Sequence, residues 1–165
     1  MTLSKSYAMT GWRVGYAFGN QDLINVMAKL QGQETSCANS IAQKAAVEAL
    51  IGDQSSMIEM KETFRKRRDL MIGLLNDIPR ISCEIPKGAF YAFPDCSGYF
   101  GTQCNGKTIT TSTEISEFIL EESKVVTVPG DGFGAPGHIR FSYAVSSEII
   151  IKGMNRLRQA LHQLN

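Results

Sequence analysis

Between Ser56 and Pro79 the apolar side chains recur at a spacing that a long helix satisfies and a strand does not. Met57, Phe64, Met71 and Ile78 stand seven residues apart, flanked by Met60, Leu74 and Leu75, and so fall on one helical stripe. Ser56 and Glu59 have capping-box spacing at its start, and Pro79 is placed to end it. Such a stripe must be covered by other elements. Ile81 to Ile85 and Ala89 to Phe93, joined by Pro86-Lys87-Gly88, read as two strands around a tight turn. Ser97 to Thr113, rich in Gly, Ser, Thr and Asn, reads as a polar loop. Thr111 and Glu114 box the next helix through Ile115, Phe118 and Ile119, and a strand follows at Val125 to Val128. The punctuated run from Pro129 to Gly137 leads into an alternating strand, His138 to Ala144, with Arg140 and Ser142 on one face. The last helix starts at Ser146 or Ser147 and carries Ile150, Met154, Leu157, Leu161 and Leu164 on one stripe.

Upstream of the long helix the pattern differs. Val14 to Gly19 reads as a short buried strand, Asp22 as the cap of a helix through Leu23, Ile24, Met27 and Leu30, and Asn39 as the start of a second helix that Gly52 stops. The expected boundary lies near Gly52 to Ser55. Residues 1–52 form one part and 53–165 a second, α+β part of an α/β chain.

Several functional classes are disfavoured by composition. Lys and Arg number 17 against 16 Asp and Glu, a net charge of +1 that offers no field to recruit nucleic acid or an anionic membrane surface. The run Arg65-Lys66-Arg67-Arg68 points in four helical directions and has Glu59, Glu62 and Asp69 nearby, so it reads as a solvated face. Apolar runs such as Ala45 to Ile51 fall far short of the ~20 residues that span a bilayer. With no charged-then-apolar leader at the start, a cytoplasmic protein is expected. Cys37, Cys83, Cys96 and Cys104 contain no CxxC pair and are expected to be reduced. His138 and His162 lack ligand-like spacing, so no metal site is expected. The Pro129–Gly134 run lacks the GK[ST] ending of a phosphate loop.

The densest chemical signal is Ser4-Lys5-Ser6-Tyr7-Ala8-Met9-Thr10-Gly11-Trp12-Arg13-Val14-Gly15-Tyr16. An ordinary lysine amine, with a pKa of about 10.4, is a poor nucleophile at neutral pH unless desolvated, set beside another cation or tied up as an imine. The fork of Arg13 can hold a phosphate bidentately, and its charge favours a neutral amine nearby. A solvated surface lysine is the competing reading. Arg140, between apolar neighbours on a strand, needs an anion, which either a salt bridge or a ligand carboxylate provides. Phe90 by itself reads as a core strand residue.

The segment Ser-Lys-x-Tyr-x-Met-Thr-Gly-Trp-Arg-x-Gly-Tyr resembles the lysine motif of class I pyridoxal-phosphate-dependent aminotransferases, in the aspartate aminotransferase family. The likeness continues through Ser40-Ile41-Ala42-Gln43, Pro86-Lys87-Gly88-Ala89-Phe90-Tyr91, Val128-Pro129-Gly130 and Ile139-Arg140-Phe141-Ser142-Tyr143-Ala144. It implies the pyridoxal-phosphate-dependent transferase fold type I, of which this chain carries the C-terminal portion. Residues 1–52 would be the remnant of the large domain and 53–165 the small domain. Lys5 would bond covalently to pyridoxal 5'-phosphate and later move the substrate proton, Arg13 would bind the cofactor phosphate with help from Ser4 and Thr2, Arg140 would clamp the substrate α-carboxylate, and Phe90 would line the substrate cavity. The implied reaction passes an amino group between an amino acid, aspartate first, and a 2-oxo acid, 2-oxoglutarate first, in a homodimer. In that family the acidic partner of the pyridine nitrogen and the ring-stacking aromatic precede the lysine. The chain alone is therefore expected to be inactive or nearly so, and to leave apolar surface uncovered. A non-catalytic, ligand-sensing domain of a transcription regulator is the alternative.

Overall fold

The computed structural model describes residues 1–104 and 106–164, with Cys104 described by its backbone alone. The chain divides into two compact units, residues 1–61 and 62–165.

In the first unit, helices α1 (Gln21–Glu34) and α2 (Ser40–Ile51) follow an irregular N-terminal segment. The cap of α1 is Asn20, two residues earlier than expected: its side-chain oxygen accepts from the amides of Asp22 and Leu23. Asn39 caps α2 in the same way, and Gly52 ends it. Val14 to Gly19 does not form the expected strand. Only Gly15 pairs, in a single antiparallel bridge with Thr2, and residues 16 to 19 are exposed. The first core is small, with Leu3, Met9 and Val14 buried against Ala42 and Ala46 of α2.

Helix α3 (Ser55–Asn76) is the long helix of the sequence reading, and Met71, Ile72 and Leu75 near its end are buried in the second core. It ends at Asn76, before Pro79, and the Asn76 side chain explains the next departure. Its oxygen accepts from the Cys83 amide at 2.8 Å and its nitrogen donates to the Cys83 carbonyl at 3.0 Å. The backbone that Ile81 to Ile85 would offer to a neighbouring strand is thus taken by a side chain, and only Ser82 makes a bridge, to Asp95. Strand β1 shrinks to Tyr91–Ala92, since Ala89 just before it is in the left-handed region (φ 64°).

The polar run after it is more ordered than expected, with a hairpin of β2 (Gln103–Cys104) and β3 (Lys107–Thr108). Helix α4 (Ser112–Ser123) carries the capping box of Thr111 and Glu114. The following strand, β4, is displaced to Val128–Pro129, and β5 spans Ile139–Ser142. β5 lies between β1 and β4 and is antiparallel to both. Its inner residues Ile139 and Phe141 join Ile115 and Ile119 of α4 in the core, with Ile150, Met154, Leu157 and Leu161 of α5 (Ser147–Leu161), which Ser146 caps. No described helix is long and apolar enough to cross a membrane.

The basic run on α3 is split: Arg65 and Lys66 are exposed, whereas Arg67 and Arg68 are half-buried, and Arg65 pairs with Glu62 and Arg68 with Asp69, each at 2.7 Å. Cys37 is a free, exposed thiol, whereas Cys83 and Cys96 are free and buried, and burial pushes both buried thiols up. The side chain of Cys104 lies outside the described residues. Iodoacetamide at pH 8 should therefore alkylate Cys37 well before Cys83 or Cys96 in the native chain, and peptide mapping by mass spectrometry reads the order.

The Ser97 amide donates to Asp95 at 2.8 Å and holds its carboxyl below the ordinary value of 3.8. A depressed carboxyl stabilises the fold above its unfolded pKa and loses that contribution as pH falls through the folded one. Asp95→Asn should lower the urea midpoint at pH 7. The gap to wild type should narrow as pH falls through the depressed pKa of the folded state and close once the Asp95 carboxyl is protonated there.

Candidate functional site

The segment 1–16 folds back on itself. Thr2 bridges Gly15, the Leu3 amide donates to the Val14 carbonyl at 3.4 Å, and the Tyr16 amide donates to the Met1 carbonyl at 2.9 Å. The pairing ends at Leu3 and Val14, so Ser4 and Lys5 open the loop that this short ladder closes and Arg13 stands at its other end. Gly15 is required there, because a Cβ would stand 2.6 Å from the Met1 carbonyl oxygen. Within the loop, Ala8 donates from its amide to the Lys5 carbonyl at 3.2 Å with a left-handed backbone (φ 53°). Thr10–Trp12 form one 3-10 turn, after which Arg13 is itself left-handed (φ 52°).

Apolar side chains decide which way this loop faces. Leu3, Met9 and Val14 are buried, whereas Lys5, Arg13 and Thr2 are exposed and Ser4 is half-buried. Burying the first set against α2 turns the polar set outward. The Thr2 hydroxyl donates to the Ser4 hydroxyl at 2.9 Å and accepts from the Ser4 amide at 3.2 Å. Arg13 donates through Nη1 to the Thr10 carbonyl at 3.1 Å. It also lines a cavity of about 760 Å³ with Trp12, Gln31, Cys37 and Asn39. Thr2, Ser4 and Lys5 do not line that cavity. The structure thus joins Thr2 with Ser4, sets Arg13 across the loop from them, and opens space beside Arg13. An ammonium, a guanidinium and two hydroxyls on one exposed loop form a donor set that suits an aldehyde-bearing phosphate ligand.

The remaining candidates belong to the second unit. Arg140 is half-buried on β5, and its guanidinium carbon lies 4.3 Å from the ring centre of Tyr91 and 4.6 Å from that of Phe133. Among the described residues no carboxylate pairs with it. Phe90 is half-buried and packs on the core, 6.4 Å from Phe64 and 4.4 Å from Tyr91 between ring centres. Tyr91 and Phe133, which the sequence did not single out, stand beside Arg140. The signal for Tyr91 was its parity: once β1 is known to pair with β5, Tyr91 must share a face with Arg140. The Pro129–Gly134 run is a turn rather than a ligand cradle. Asp131 accepts from the Ser112 and Thr113 hydroxyls, and a Cβ at Gly130 would run into the carbonyl oxygens of Ala135 and His138.

Known proteins resemble this chain in sequence and in fold. The chain is 44% identical over 164 residues to aspartate aminotransferase of Rhizobium meliloti, covering 99% of this chain and 40% of the relative. It is 46% identical over 158 residues to a probable aspartate/prephenate aminotransferase of Rhizobium leguminosarum bv. phaseoli, covering 95% of this chain and 40% of the relative. The crystal structure of the Rhizobium meliloti aspartate aminotransferase superposes with a TM-score of 0.96 at 44% identity, over 99% of this chain and 41% of that one. Thermus thermophilus aspartate aminotransferase with maleate gives 0.85 at 35% identity, over 94% of this chain and 39% of that one. The chain thus spans about 40% of the length of these relatives and matches the C-terminal part of their fold. Class I and II aminotransferases, as a family, match residues 1–157, so with both sequence and fold in agreement the chain belongs to that family.

Proposed function

We propose that this chain contributes the lysine, phosphate-binding and carboxylate-binding groups of a pyridoxal-phosphate-dependent aminotransferase that moves an amino group between aspartate and 2-oxoglutarate. The observation that supports the reading is the folded-back segment 1–16, whose buried Leu3, Met9 and Val14 leave Lys5, Arg13 and Thr2 exposed and Ser4 half-buried on one short stretch of chain. Aspartate is favoured by the relatives' names and by the maleate, a four-carbon dicarboxylate, in the Thermus structure. The regulator-domain alternative draws no support from those names. Residues 1–52 are read as part of a large domain and 53–165 as the small domain of a cytoplasmic homodimer. Exposed Leu23, Val26, Met27 and Leu30 on α1 supply an apolar face for further protein to cover.

In this reading Arg13 holds the cofactor phosphate through its planar fork, with hydroxyl donors from Ser4 and Thr2. Pyridoxal phosphate, when bound, supplies the electron sink that a carbanion at the substrate α-carbon requires. The Lys5 Nζ would hold the cofactor and, once a substrate amine has displaced it, would serve as the free base that accepts the substrate α-proton and later gives it back. Arg140 orients the substrate through its α-carboxylate, and Phe90 bounds the substrate space on the second unit. The acidic partner that keeps such a sink effective precedes the lysine in this family. The 165-residue chain assayed by itself should accordingly turn over aspartate and 2-oxoglutarate far below the ~10 per second of a typical enzyme.

Pyridoxal phosphate followed by borohydride should label Lys5 ahead of the surface lysines, read by peptide mapping. Labelling spread evenly over all lysines contradicts the reading. Gly15→Ala should abolish the Lys5 preference, because the added Cβ meets the Met1 carbonyl and opens the loop.

In the intact enzyme, Arg140→Ala should cost about 2–5 kcal/mol of a charge-assisted pair. In kcat/KM that is roughly 30- to several-thousand-fold. Arg140→Lys should recover only part, since an ammonium cannot present two parallel donors. Unchanged kcat/KM for Arg140→Ala would remove Arg140 from the site.

A further inference from the structure

We propose that Tyr91 and Phe133 are positioning residues that fix the plane of the Arg140 guanidinium, so that its N–H edge stays available to a ligand carboxylate. The proposal rests on reading Arg140 as the carboxylate clamp.

The placement follows from strand register. β1 and β5 pair Tyr91 with Ser142 and Ala92 with Phe141, so Tyr91 is the diagonal neighbour of Arg140 on the outer face of the sheet. Phe133 reaches the same face from the 3-10 turn Gly130–Phe133 that follows β4. That turn is tied down: the Gly130 amide donates to the His138 carbonyl at 2.8 Å, and Asp131 is bound by two hydroxyls of α4. Phe93 meets Phe133 edge-on with ring centres 6.0 Å apart, and Phe90 lies 4.4 Å from Tyr91. Both rings over Arg140 are therefore themselves supported.

A guanidinium has two π-faces and an in-plane fan of five donors, and the two are satisfied by different partners. Rings at 4.3 and 4.6 Å engage the faces. They accept no in-plane N–H, and among the described residues no carboxylate pairs with Arg140. The arrangement resists tilt and rotation of the fork while leaving its edge for an anion. An unstacked arginine would instead have to order its side chain at each binding event, at a cost of affinity.

The test uses the full ¹⁵N-labelled chain with maleate as the probe. The Arg140 Nε–H resonance is assigned by its loss in Arg140→Lys, and amide spectra check that each variant is folded. Tyr91→Leu and Phe133→Leu should each speed rotation about the Nε–Cζ bond and weaken maleate binding by about 2- to 30-fold, the worth of one cation–π contact. Tyr91→Phe and Phe133→Tyr keep a ring and should match wild type in both measurements. Unchanged rotation in the leucine variants overturns the proposal. Faster rotation with unchanged affinity also overturns it, while the clamp reading stands. Should maleate leave the wild-type Arg140 resonance unmoved, the clamp reading fails, and stacking is left with no ligand to serve.

Discussion

The alternation of β5 is the constraint on which the second unit depends. Its side chains point to opposite faces by turns, and it is flanked on both edges, so Ile139 and Phe141 must go inward with the core helices while Arg140 and Ser142 go outward. A slip of one residue would drive a guanidinium into a core where Ile115, Ile119 and Leu157 are fully buried. The core thus fixes the register, and the register fixes the position of the arginine. The hydrogen bonds from the Tyr143 amide to the Phe90 carbonyl and from the Tyr143 hydroxyl to the Ala89 carbonyl extend the pairing past the end of the strand.

A similar division of labour operates in the first unit without a regular strand. Leu3, Met9 and Val14 are spaced irregularly along the segment, yet all three are buried beside Ala42 and Ala46 of α2. Small alanine side chains allow the loop to approach closely, and the two left-handed residues, Ala8 and Arg13, let the chain turn between anchors. Lys5 and Arg13 are left exposed on a segment held by these buried anchors. A reactive loop can be irregular and still well placed when its anchors are buried.

Polar residues hold the turns that these faces need. Asn20, Asn39, Thr111 and Ser146 satisfy amides that the starts of four helices would otherwise leave open. Asp131 binds the turn that delivers Phe133 to the N-terminus of α4, and Asn76 closes the irregular segment after α3 by bonding both backbone groups of Cys83. None of these contacts contributes much by itself. Within the second unit, Asp131 and the Thr111 and Ser146 caps hold the turns beside the outer sheet face.

Local chemistry made part of this legible in the sequence. The long helix, the Thr111–Glu114 capping box and the Asn39 and Ser146 caps obey rules a few residues wide, and the heptad of Met57, Phe64 and Met71 needs no partner to be read; the Ser56–Glu59 box expected for α3 does not form its start, which lies at Ser55. The lysine segment was legible through its resemblance to a family motif, since its residue types and spacing by themselves left a solvated surface lysine open. Where the reading failed, a distant partner decided. Ile81 to Ile85 has the composition of a strand, but Asn76 takes both backbone groups of Cys83 and only Ser82 pairs, with Asp95; Val14 to Gly19 has too little paired backbone opposite it to extend beyond one bridge. The rings over Arg140 belong to the same class. Tyr91 and Phe133 are separated by more than forty residues, and neither is marked by its neighbours. Sequence determined which chemical groups the chain carries and which segments coil. Only tertiary structure decided which groups meet, because strand register and buried anchors are set by long-range packing that no short window contains.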